Sequence, residues 1–219
     1  MKPLLKYKQD NNLIEINLCK SAPIQIKPIP IIDELIKYWK NKGHREIIDV
    51  GCGKLRNSLV LVTYFFLWIY DFPEQLDNPT IKGRLAKLKK SHNFKGIIYP
   101  SEFKNRRLNA DAAFISFVIN TIPEKRLRIQ LIKNTMNNLK PPYELFIAVP
   151  CGEKYYKNKM TEENRFNDGF LFNAGHGQKS FYREYKSEEI DKFMAELGFK
   201  VDSIFSANKK RMRCYFVKK

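Results

Sequence analysis

An apolar run that ends in two closely spaced glycines constrains the fold of this chain more than any other feature. Residues 46–50 read Glu-Ile-Ile-Asp-Val and lead directly into Gly51, Cys52 and Gly53. Glycines at this spacing let the backbone turn sharply after a strand and pass close to a ligand. Asp71 follows the next apolar run, twenty residues after Gly51, where a carboxylate can hold ribose hydroxyls. The pattern predicts a nucleoside-cofactor site, with a purely structural turn as the alternative.

Strand-like and helix-like segments alternate from residue 45 onward, which predicts parallel strands joined by crossover helices. The predicted strands cover 46–50, 66–70, 96–99, 112–119 and 143–149, followed by a terminal antiparallel pair at 199–206 and 212–217. The predicted helices cover 33–43, 54–64, 123–139 and 187–198.

We expect a single domain over residues 1–219. Residues 1–43 would form an N-terminal extension and helix, with an extended, proline-containing stretch at 22–30. Residues 151–186 are polar, aromatic and glycine-containing without a sustained period, and they predict an irregular insertion on the substrate side.

The chain is strongly basic, with a formal charge of +17 over 219 residues. Such an excess favours a polyanionic partner such as nucleic acid, and a solvated basic surface that reflects coding bias is the alternative. If the charge is functional, we expect it on the substrate side, in 123–139, 151–186 and 209–213. The 43% content of hydrophobic residues excludes disorder for the bulk of the chain.

The cysteines and the apolar runs indicate a cytoplasmic protein without a metal site. The longest apolar run, 59–70, contains Thr63 and is far shorter than the ~20 residues that span a bilayer. The N-terminus lacks the apolar stretch of a secretory signal. The four cysteines are widely separated, which predicts reduced thiols rather than a disulfide or zinc framework: Cys19, Cys52, Cys151 and Cys214.

Two other nucleotide-binding classes fit the glycine turn poorly. A dinucleotide-dependent dehydrogenase needs a third glycine for close helix packing near position 56, which is Arg56 here. No catalytic Tyr-x-x-x-Lys pair lies on a predicted helix, and no Gly-Lys-Ser/Thr follows the turn as a phosphate-binding loop requires.

The motifs resemble those of the class I S-adenosylmethionine-dependent methyltransferases over residues 42–219. Residues 49–55, Asp-Val-Gly-Cys-Gly-Lys-Leu, match the first motif of that family, except that Leu55 replaces the third glycine. More narrowly, residues 53–58, 70–75 and 117–123 resemble uncharacterised prokaryotic methyltransferases associated with DNA modification or phage defence.

The resemblance implies an α/β, Rossmann-like three-layer fold with a mostly parallel seven-stranded sheet that ends in an antiparallel hairpin. It also implies S-adenosylmethionine as cofactor. Gly51 and Gly53 would pass beneath its methionine part, and Asp71 would bind its ribose. Asp49 would orient the loop or meet the cofactor amine through water.

The adenine contacts are implied less directly. Phe72 is in position to cover the adenine ring. Glu102 or the backbone of Ser101 follows the third strand, where the family often places an adenine contact, and a solvated loop acid is the equal alternative for Glu102.

The acceptor side offers several candidate residues. Asn120 and Pro123 resemble the Asn/Asp-Pro motif of amino-methylating enzymes, with one extra residue and Glu124 in place of the aromatic, so a plain strand-end turn is equally plausible. His176, between two glycines, is the candidate general base, although a lone loop histidine is more often a surface residue. Cys151 is a weaker candidate nucleophile. Three further residues are candidates for stacking on a base or meeting a phosphate: Tyr182, Arg183 and Tyr185.

The sequence therefore predicts a methyltransferase that acts on an N or O acceptor, with DNA or RNA as the preferred substrate. A small-molecule or protein methyltransferase would share every cofactor motif. A non-catalytic binding module on the same fold is suggested by Leu55 and by the altered motif at Asn120.

Overall fold

The computed structural model describes residues 1–9, 12–21, 26–150, 160–205 and 212–218. The strands are β1 (Leu4–Gln9), β2 (Asn12–Asn17), β3 (Glu46–Val50), β4 (Phe66–Tyr70), β5 (Phe94–Ile98), β6 (Ala110–Ser116), β7 (Leu139–Pro150), β8 (Arg165–Phe166), β9 (Gly169–Gly175), β10 (Gln178–Tyr182), β11 (Lys200–Phe205) and β12 (Met212–Lys218). The α-helices are α1 (Ile32–Asn41), α2 (Ser58–Leu61), α3 (Pro73–Leu76), α4 (Pro79–Lys89), α5 (Pro100–Phe103), α6 (Lys125–Met136) and α7 (Ser187–Glu196). Short 3-10 turns lie at Leu18–Ser21, Ile119–Thr121 and Glu162–Asn164.

The main sheet has seven strands in the order β11-β12-β7-β6-β3-β4-β5. The pairs among β3, β4, β5, β6 and β7 are parallel, whereas β12 pairs antiparallel with both β7 and β11. The α/β class and the mostly parallel seven-stranded sheet with an antiparallel terminal hairpin are thus confirmed.

Side chains that alternate along the central strands build two cores, one on each face of the sheet. Ile47 and Phe114 pack on one face with buried side chains of α1, α2 and α4. Ile48 and Ile115 pack on the other face with side chains of α5, α6 and α7. The result is a three-layer arrangement, as expected for parallel strands that are buried on both faces.

A second sheet of five strands, which we call the roof sheet, has the order β1-β2-β10-β9-β8. It is the main departure from the sequence-based expectation, because residues 1–43 were expected to supply only an extension and a helix, and 151–186 an irregular insertion. Strand β2 joins β10 in parallel through the Ile16–Lys179 pair. Residues 151–159 of the expected insertion lie outside the described residues.

Several boundaries also differ from those predicted. The helix expected at 54–64 is only the single turn α2, because the loop before it has a left-handed residue at Leu55. Helix α4 was not predicted, since its apolar periodicity is weak and only Ile81 and Leu88 are buried. Within the described ranges, none of the helices combines the length and apolarity needed to cross a lipid bilayer.

Candidate cofactor site

A cleft opens at the carboxyl ends of β3, β4 and β6. Strand β3 lies between β4 and β6, so the order of strands along the chain reverses here, and ligands of open α/β sheets bind at such a switch point. The cleft brings together Gly51, Asp71 and Ser116 from these three strand ends. The other lining residues come from the N-terminus, β4, α3 and the segment after β6: Met1, Leu18, Cys19, Ser21, Gly53, Tyr70, Phe72, Gln75, Phe117, Val118, Thr121 and Ile122.

The turn after β3 depends on backbone conformations that glycine adopts readily. Gly51 and Gly53 have φ values of +70° and +53°. A Cβ atom on Gly51 would lie 2.5 Å from Cγ2 of Val118, so a side chain there would collide with the opposite wall of the cleft. The N–H of Gly51 donates to the carbonyl of Tyr70 at 2.8 Å, which joins the turn to the end of β4.

Leu55 occupies the position where the family motif has its third glycine. Its φ is +58°, so the loop keeps the left-handed conformation that a glycine would supply. This conformation costs a non-glycine residue roughly 1–2 kcal/mol. The side chain of Leu55 is fully buried in the core shared with α1 and α2, and this burial offsets the cost. The departure at Leu55 therefore leaves the path of the loop intact.

Asp71 is the central polar group of the cleft. One of its carboxylate oxygens accepts a hydrogen bond from the N–H of Gly53 at 2.7 Å, and the other accepts one from the N–H of Phe72 at 2.8 Å. Burial raises the pKa of Asp71 to about 6, while these two hydrogen bonds act in the opposite direction. Its carboxylate is thus held rigidly at the end of β4, facing the glycine turn.

Asp49 lies behind the cleft and is not among its lining residues. It is buried, and its carboxylate accepts a hydrogen bond from Oγ of Ser58 on α2 at 2.5 Å. Burial is the main cause that raises the pKa of Asp49 to about 7, with the hydrogen bond from Ser58 opposing it and the nearby charge of Asp71 adding to it. This position favours a role for Asp49 in orienting the loop after β3 over direct contact with the cofactor.

We expect Asp49→Asn to stabilise the protein at pH 8 and to change its stability little at pH 4. Because the folded pKa of Asp49 lies above the ~3.9 of an unfolded aspartate, the folded state retains its proton between these values. The contribution of Asp49 to stability is therefore fully present below about pH 4 and is lost as the pH rises through about 7. Each pKa unit corresponds to about 1.4 kcal/mol, so the gain at pH 8 is on the order of a few kcal/mol.

Urea unfolding of both proteins from pH 4 to 8 measures this difference. The exposed Asp191→Asn on α7 is the matched control and should track the parent protein at every pH. A difference between Asp49→Asn and the parent that stays constant with pH would contradict the assignment.

The end of β6 and the segment after it carry two buried polar atoms without a hydrogen-bond partner among the described residues: Oγ of Ser116 and Oδ1 of Asn120. Leaving such an atom unpaired costs about 1–3 kcal/mol, so a buried orphan marks a place where a ligand can supply the partner. The backbone carbonyl of Asn120 accepts a hydrogen bond from the N–H of Arg183 at 2.8 Å, which fixes the segment to the end of β10.

The N-terminal residues of the cleft were not predicted from the sequence. Met1, Leu18, Cys19 and Ser21 lie over the strand ends, and the space left between them and the glycine turn is only about 70 Å³. Sites for small molecules usually enclose ~300–1,000 Å³. A nucleoside-sized ligand therefore requires these N-terminal side chains to move outward.

The remaining predicted cofactor residues divide into one inside the cleft and one outside it. Phe72 lines the cleft and packs with Leu18 beneath the roof sheet. Glu102 lies on α5, is not among the lining residues, and forms an exposed ion pair with Arg106 at 2.9 Å. The structure thus gives Glu102 the surroundings of a solvated acid.

The predicted acceptor-side residues occupy different surroundings from one another. His176 lies in the exposed turn between β9 and β10, with φ of +53°, and does not line the cleft. Tyr182 and Tyr185 are buried. Arg183 is ion-paired with Asp168 and Glu189, so its guanidinium is already engaged by two carboxylates. Among the residues that the structure describes, no cluster of His, Cys, Asp and Glu is arranged to hold a metal ion.

Comparison with solved structures shows which fold this is. An S-adenosylmethionine-dependent methyltransferase from Clostridium acetobutylicum is similar with a TM-score of 0.63 and 15% identity, over 85% of this chain and 89% of that one. A methyltransferase of the same description from Methanosarcina mazei gives 0.61 and 17%, over 88% and 96%. The chain has the Rossmann-like methyltransferase fold. Magnesium protoporphyrin IX methyltransferase from Synechocystis, solved with bound SAH, gives 0.58 and 13%, over 86% and 81%. No protein-family model matches the sequence, and no curated protein is significantly similar to it.

Two sets of cleft residues were not among the predicted site residues. Ser116 ends β6 and Val118 follows it, and their place beside the switch point is the signal that could have identified them. Leu18 and Cys19 reach the cleft only because β2 docks on β10, a contact between residues that are more than 150 positions apart.

Proposed function

We propose that the chain is an S-adenosylmethionine-dependent methyltransferase that transfers a methyl group to an N or O atom of nucleic acid. The observation that carries the enzyme class is Asp71. It presents a buried carboxylate beside Gly51 and Gly53, in the switch-point cleft of a methyltransferase fold.

The residues present fit this cofactor in their chemistry. Each oxygen of Asp71 accepts one backbone hydrogen bond, and the oxygen that faces Gly53 also accepts one from Sγ of Cys52 at 3.7 Å, so the oxygen bonded to Phe72 keeps a lone pair for a ribose hydroxyl. Gly51 and Gly53 would pass beneath the methionine part, and Phe72 would cover the adenine ring. When bound, S-adenosylmethionine supplies an electrophilic methyl group.

The contribution of the chain is alignment and exclusion of water. Residues that flank β1 and β2 line the cleft, and after the outward movement that admits the cofactor they would still separate an acceptor from solvent. Asn120 is not among the residues that line the cleft, so its buried and unpaired Oδ1 would orient the acceptor only if the segment after β6 moved to expose it. Holding the reactants in line can supply several kcal/mol without a covalent intermediate. His176 would act as general base only if its turn moved toward the cleft.

Nucleic acid as the acceptor is supported by the formal charge of +17. Residues 78–101 contain no Asp or Glu. The exposed lysines of this stretch are Lys82, Lys87, Lys89, Lys90 and Lys95. The likeness of residues 53–58, 70–75 and 117–123 to methyltransferases associated with DNA modification makes DNA the first substrate to test.

The distribution of charge is broader than the sequence-based expectation. Lys125, Arg126 and Lys133 are exposed on α6, as expected, but lysines are equally exposed on α1 and α4. Residues 206–211, which include most of the basic terminal turn, lie outside the described residues. Among the described residues the exposed cations are thus not confined to the substrate side, which is the distribution expected of a solvated basic surface, so for the acceptor only the total charge supports a polyanionic partner.

Incubation with radiolabelled S-adenosylmethionine and separate pools of DNA, RNA, protein and metabolites tests the proposal. We expect label in DNA or RNA. Label confined to the metabolite or protein pool would overturn nucleic acid as the acceptor and keep the methyltransferase. No label in any pool, together with no cofactor binding at millimolar concentration, would overturn the enzyme class.

A further inference from the structure

The two edges of the main sheet differ in charge, because acidic residues are not spread over the surface as the cations are. The parallel strands β3, β4 and β5 are neighbours and begin at the same edge, which we call the amino edge. Residues 37–45, 62–66 and 87–93 enter these strands and contain no Asp or Glu. The segments that follow β4 and β5, at the opposite edge, contain Glu74, Asp77 and Glu102.

The cations of the amino edge lie on one side of the sheet. Helices α1 and α4 pack on the same face, and their carboxyl ends lead into β3 and β5. Neighbouring strands are about 4.8 Å apart, so β3 and β5 are separated by roughly 10 Å. A group of residues here, which we call the amino-edge cations, is exposed and forms no ion pair with any described residue: Lys40, Lys42, Arg45, Lys87, Lys89, Lys90 and Lys95.

The carboxylates near this edge are already engaged within the molecule. Glu46 accepts a hydrogen bond from Nε1 of Trp68 at 2.6 Å. Asp111 accepts two backbone hydrogen bonds and pairs with Lys140 at 2.5 Å. Glu144 is 2% exposed and lies within hydrogen-bond distance of three side chains of α1 and the loop after it. The charge of the amino-edge cations is therefore left for a partner outside the chain.

Helix ends explain only part of this group. Cations at a helix carboxyl end interact favourably with the helix dipole, which is a structural reason for Lys40, Lys87 and Lys89. Arg45 lies in the loop before β3 and Lys95 lies on β5, so neither is placed to serve that purpose.

The aromatic rings at this edge hold lysines rather than offering free apolar surface. Tyr64 and Phe66 are 52% and 41% exposed. Nζ of Lys40 lies 5.4 Å from the ring centroid of Tyr64, and Nζ of Lys95 lies 5.1 Å from that of Phe66. A ring attracts an ammonium without cancelling its charge. Membrane insertion and protein interfaces both need apolar contact area, whereas a phosphate backbone needs cations.

We propose that the amino edge binds the phosphate backbone of duplex DNA, independently of its sequence and away from the cofactor cleft. Strand β3 has five residues at about 3.3 Å each, so the two edges are roughly 17 Å apart. Lysine and arginine contacts to phosphates supply affinity and carry no sequence information. The inference rests on the proposed function for its purpose: a second contact with the polymer raises the effective concentration of acceptor sites on neighbouring segments.

Anisotropy of a fluorescein-labelled duplex of about 20 base pairs, titrated at several salt concentrations without cofactor, tests this surface. The amino-edge triple variant combines Lys42→Gln, Lys90→Gln and Lys95→Gln. We expect its slope of log K against log salt to fall by about 2–3, because each phosphate contact contributes about 0.9. The same three positions changed to Arg should keep the parental slope, and urea unfolding reports that each variant is folded.

A control variant removes the same net charge from another part of the surface. It combines Lys2→Gln, Lys8→Gln and Lys192→Gln, which replace exposed lysines before β1, on β1 and on α7. Its salt slope should stay near that of the parent. S-adenosylmethionine affinity, measured by calorimetry, should be the same in the parent and in both triple variants, since none of the changed residues lines the cofactor cleft.

The outcomes separate this inference from the proposed function. A lower slope in the amino-edge triple variant alone supports the surface, even if no methyl group is transferred to DNA. Equal changes in the two triple variants would overturn it, because only the total charge would then attract DNA, and label transferred to DNA would still support the methyltransferase. Vesicles containing phosphatidylserine provide a further test: binding to them that depends on the amino-edge cations, with DNA binding unaffected, would overturn the proposal in favour of a membrane partner.

Discussion

Asp71→Asn is expected to weaken S-adenosylmethionine binding at least ~100-fold. The carboxylate is the hydrogen-bond acceptor for the ribose in the proposed complex, and hydrogen bonds to charged groups contribute about 1.5–3 kcal/mol each. Two such bonds correspond to a factor of roughly 100 or more in the dissociation constant. The amide of the variant keeps one acceptor oxygen but presents an N–H₂ group where the N–H of Gly53 or Phe72 now donates.

Calorimetry on the parent protein and the variant measures this loss, and near-ultraviolet circular dichroism reports whether the variant keeps its tertiary packing. Asp191→Asn on α7 changes the same charge on an exposed surface and should bind the cofactor like the parent. A folded Asp71→Asn protein with parental affinity would show that the carboxylate does not hold the ribose.

The parts of the fold that the sequence predicted are those in which local signals and tertiary packing agree. The buried runs that become β3 and β4 are short and apolar, and Gly51 and Asp71 follow them directly. The sequence therefore predicts both the position and the end of each strand. The terminal hairpin was readable for the same reason, since β11 and β12 follow one another in the chain.

The roof sheet was not predicted, because the pairing that unites it, β2 with β10, joins residues more than 150 positions apart, although the pairs β1–β2, β8–β9 and β9–β10 join consecutive strands. Residues 4–9 and 12–17 do alternate between apolar and polar side chains around Asp10 and Asn11, which is a hairpin signal that composition and the following prolines obscured. The docking of β2 on β10 depends on one bridge pair and on a small core that includes Ile16 and Phe181. Such a non-local pairing has no pattern of its own in a single sequence.

The residues of the candidate site fall into the same two groups, those that local sequence signals predict and those that long-range packing brings in. The side of the cleft formed by Gly51, Gly53, Asp71 and Phe72 follows from motifs in consecutive segments. The opposite side comes from the N-terminus, and Tyr7 contacts Glu124, which lies 117 positions further along the chain, and Phe166, which lies further still. Local sequence thus indicates where a cofactor would bind, whereas long-range packing decides what covers it.

Arg128→Met is expected to destabilise the protein by about 1–3 kcal/mol, since Asp168 is partly exposed and keeps Arg183 as a partner. Arg128 is buried on α6 and donates to Asp168 at 2.6 and 2.7 Å and to the hydroxyl of Tyr185 at 2.8 Å. Asp168 also pairs with Arg183, whose guanidinium reaches Glu189 on α7 at 3.1 Å and lies 4.5 Å from the ring centroid of Tyr185. The cluster therefore joins α6, the turn before β9, and the start of α7.

The free energy of unfolding falls because the guanidinium of Arg128 is removed while its hydrogen-bond partners stay in place. A methionine of similar length fills part of the space, but Asp168 then keeps only Arg183, and the hydroxyl of Tyr185 loses its donor. Urea unfolding measures the change, and Arg126→Met, which removes a mostly exposed arginine from the same helix, should cost far less.

Amide hydrogen exchange distinguishes where the loss acts. If the cluster anchors the roof sheet, exchange in residues 165–182 of Arg128→Met should rise more than exchange in β3 and β4, whose hydrogen bonds lie within the main sheet. A uniform rise over both sheets would place the effect in the core of α6 instead. Because residues that flank β1 and β2 of the roof sheet line the cofactor cleft, a selective rise would also mean that this buried ion cluster determines how firmly the cofactor is enclosed.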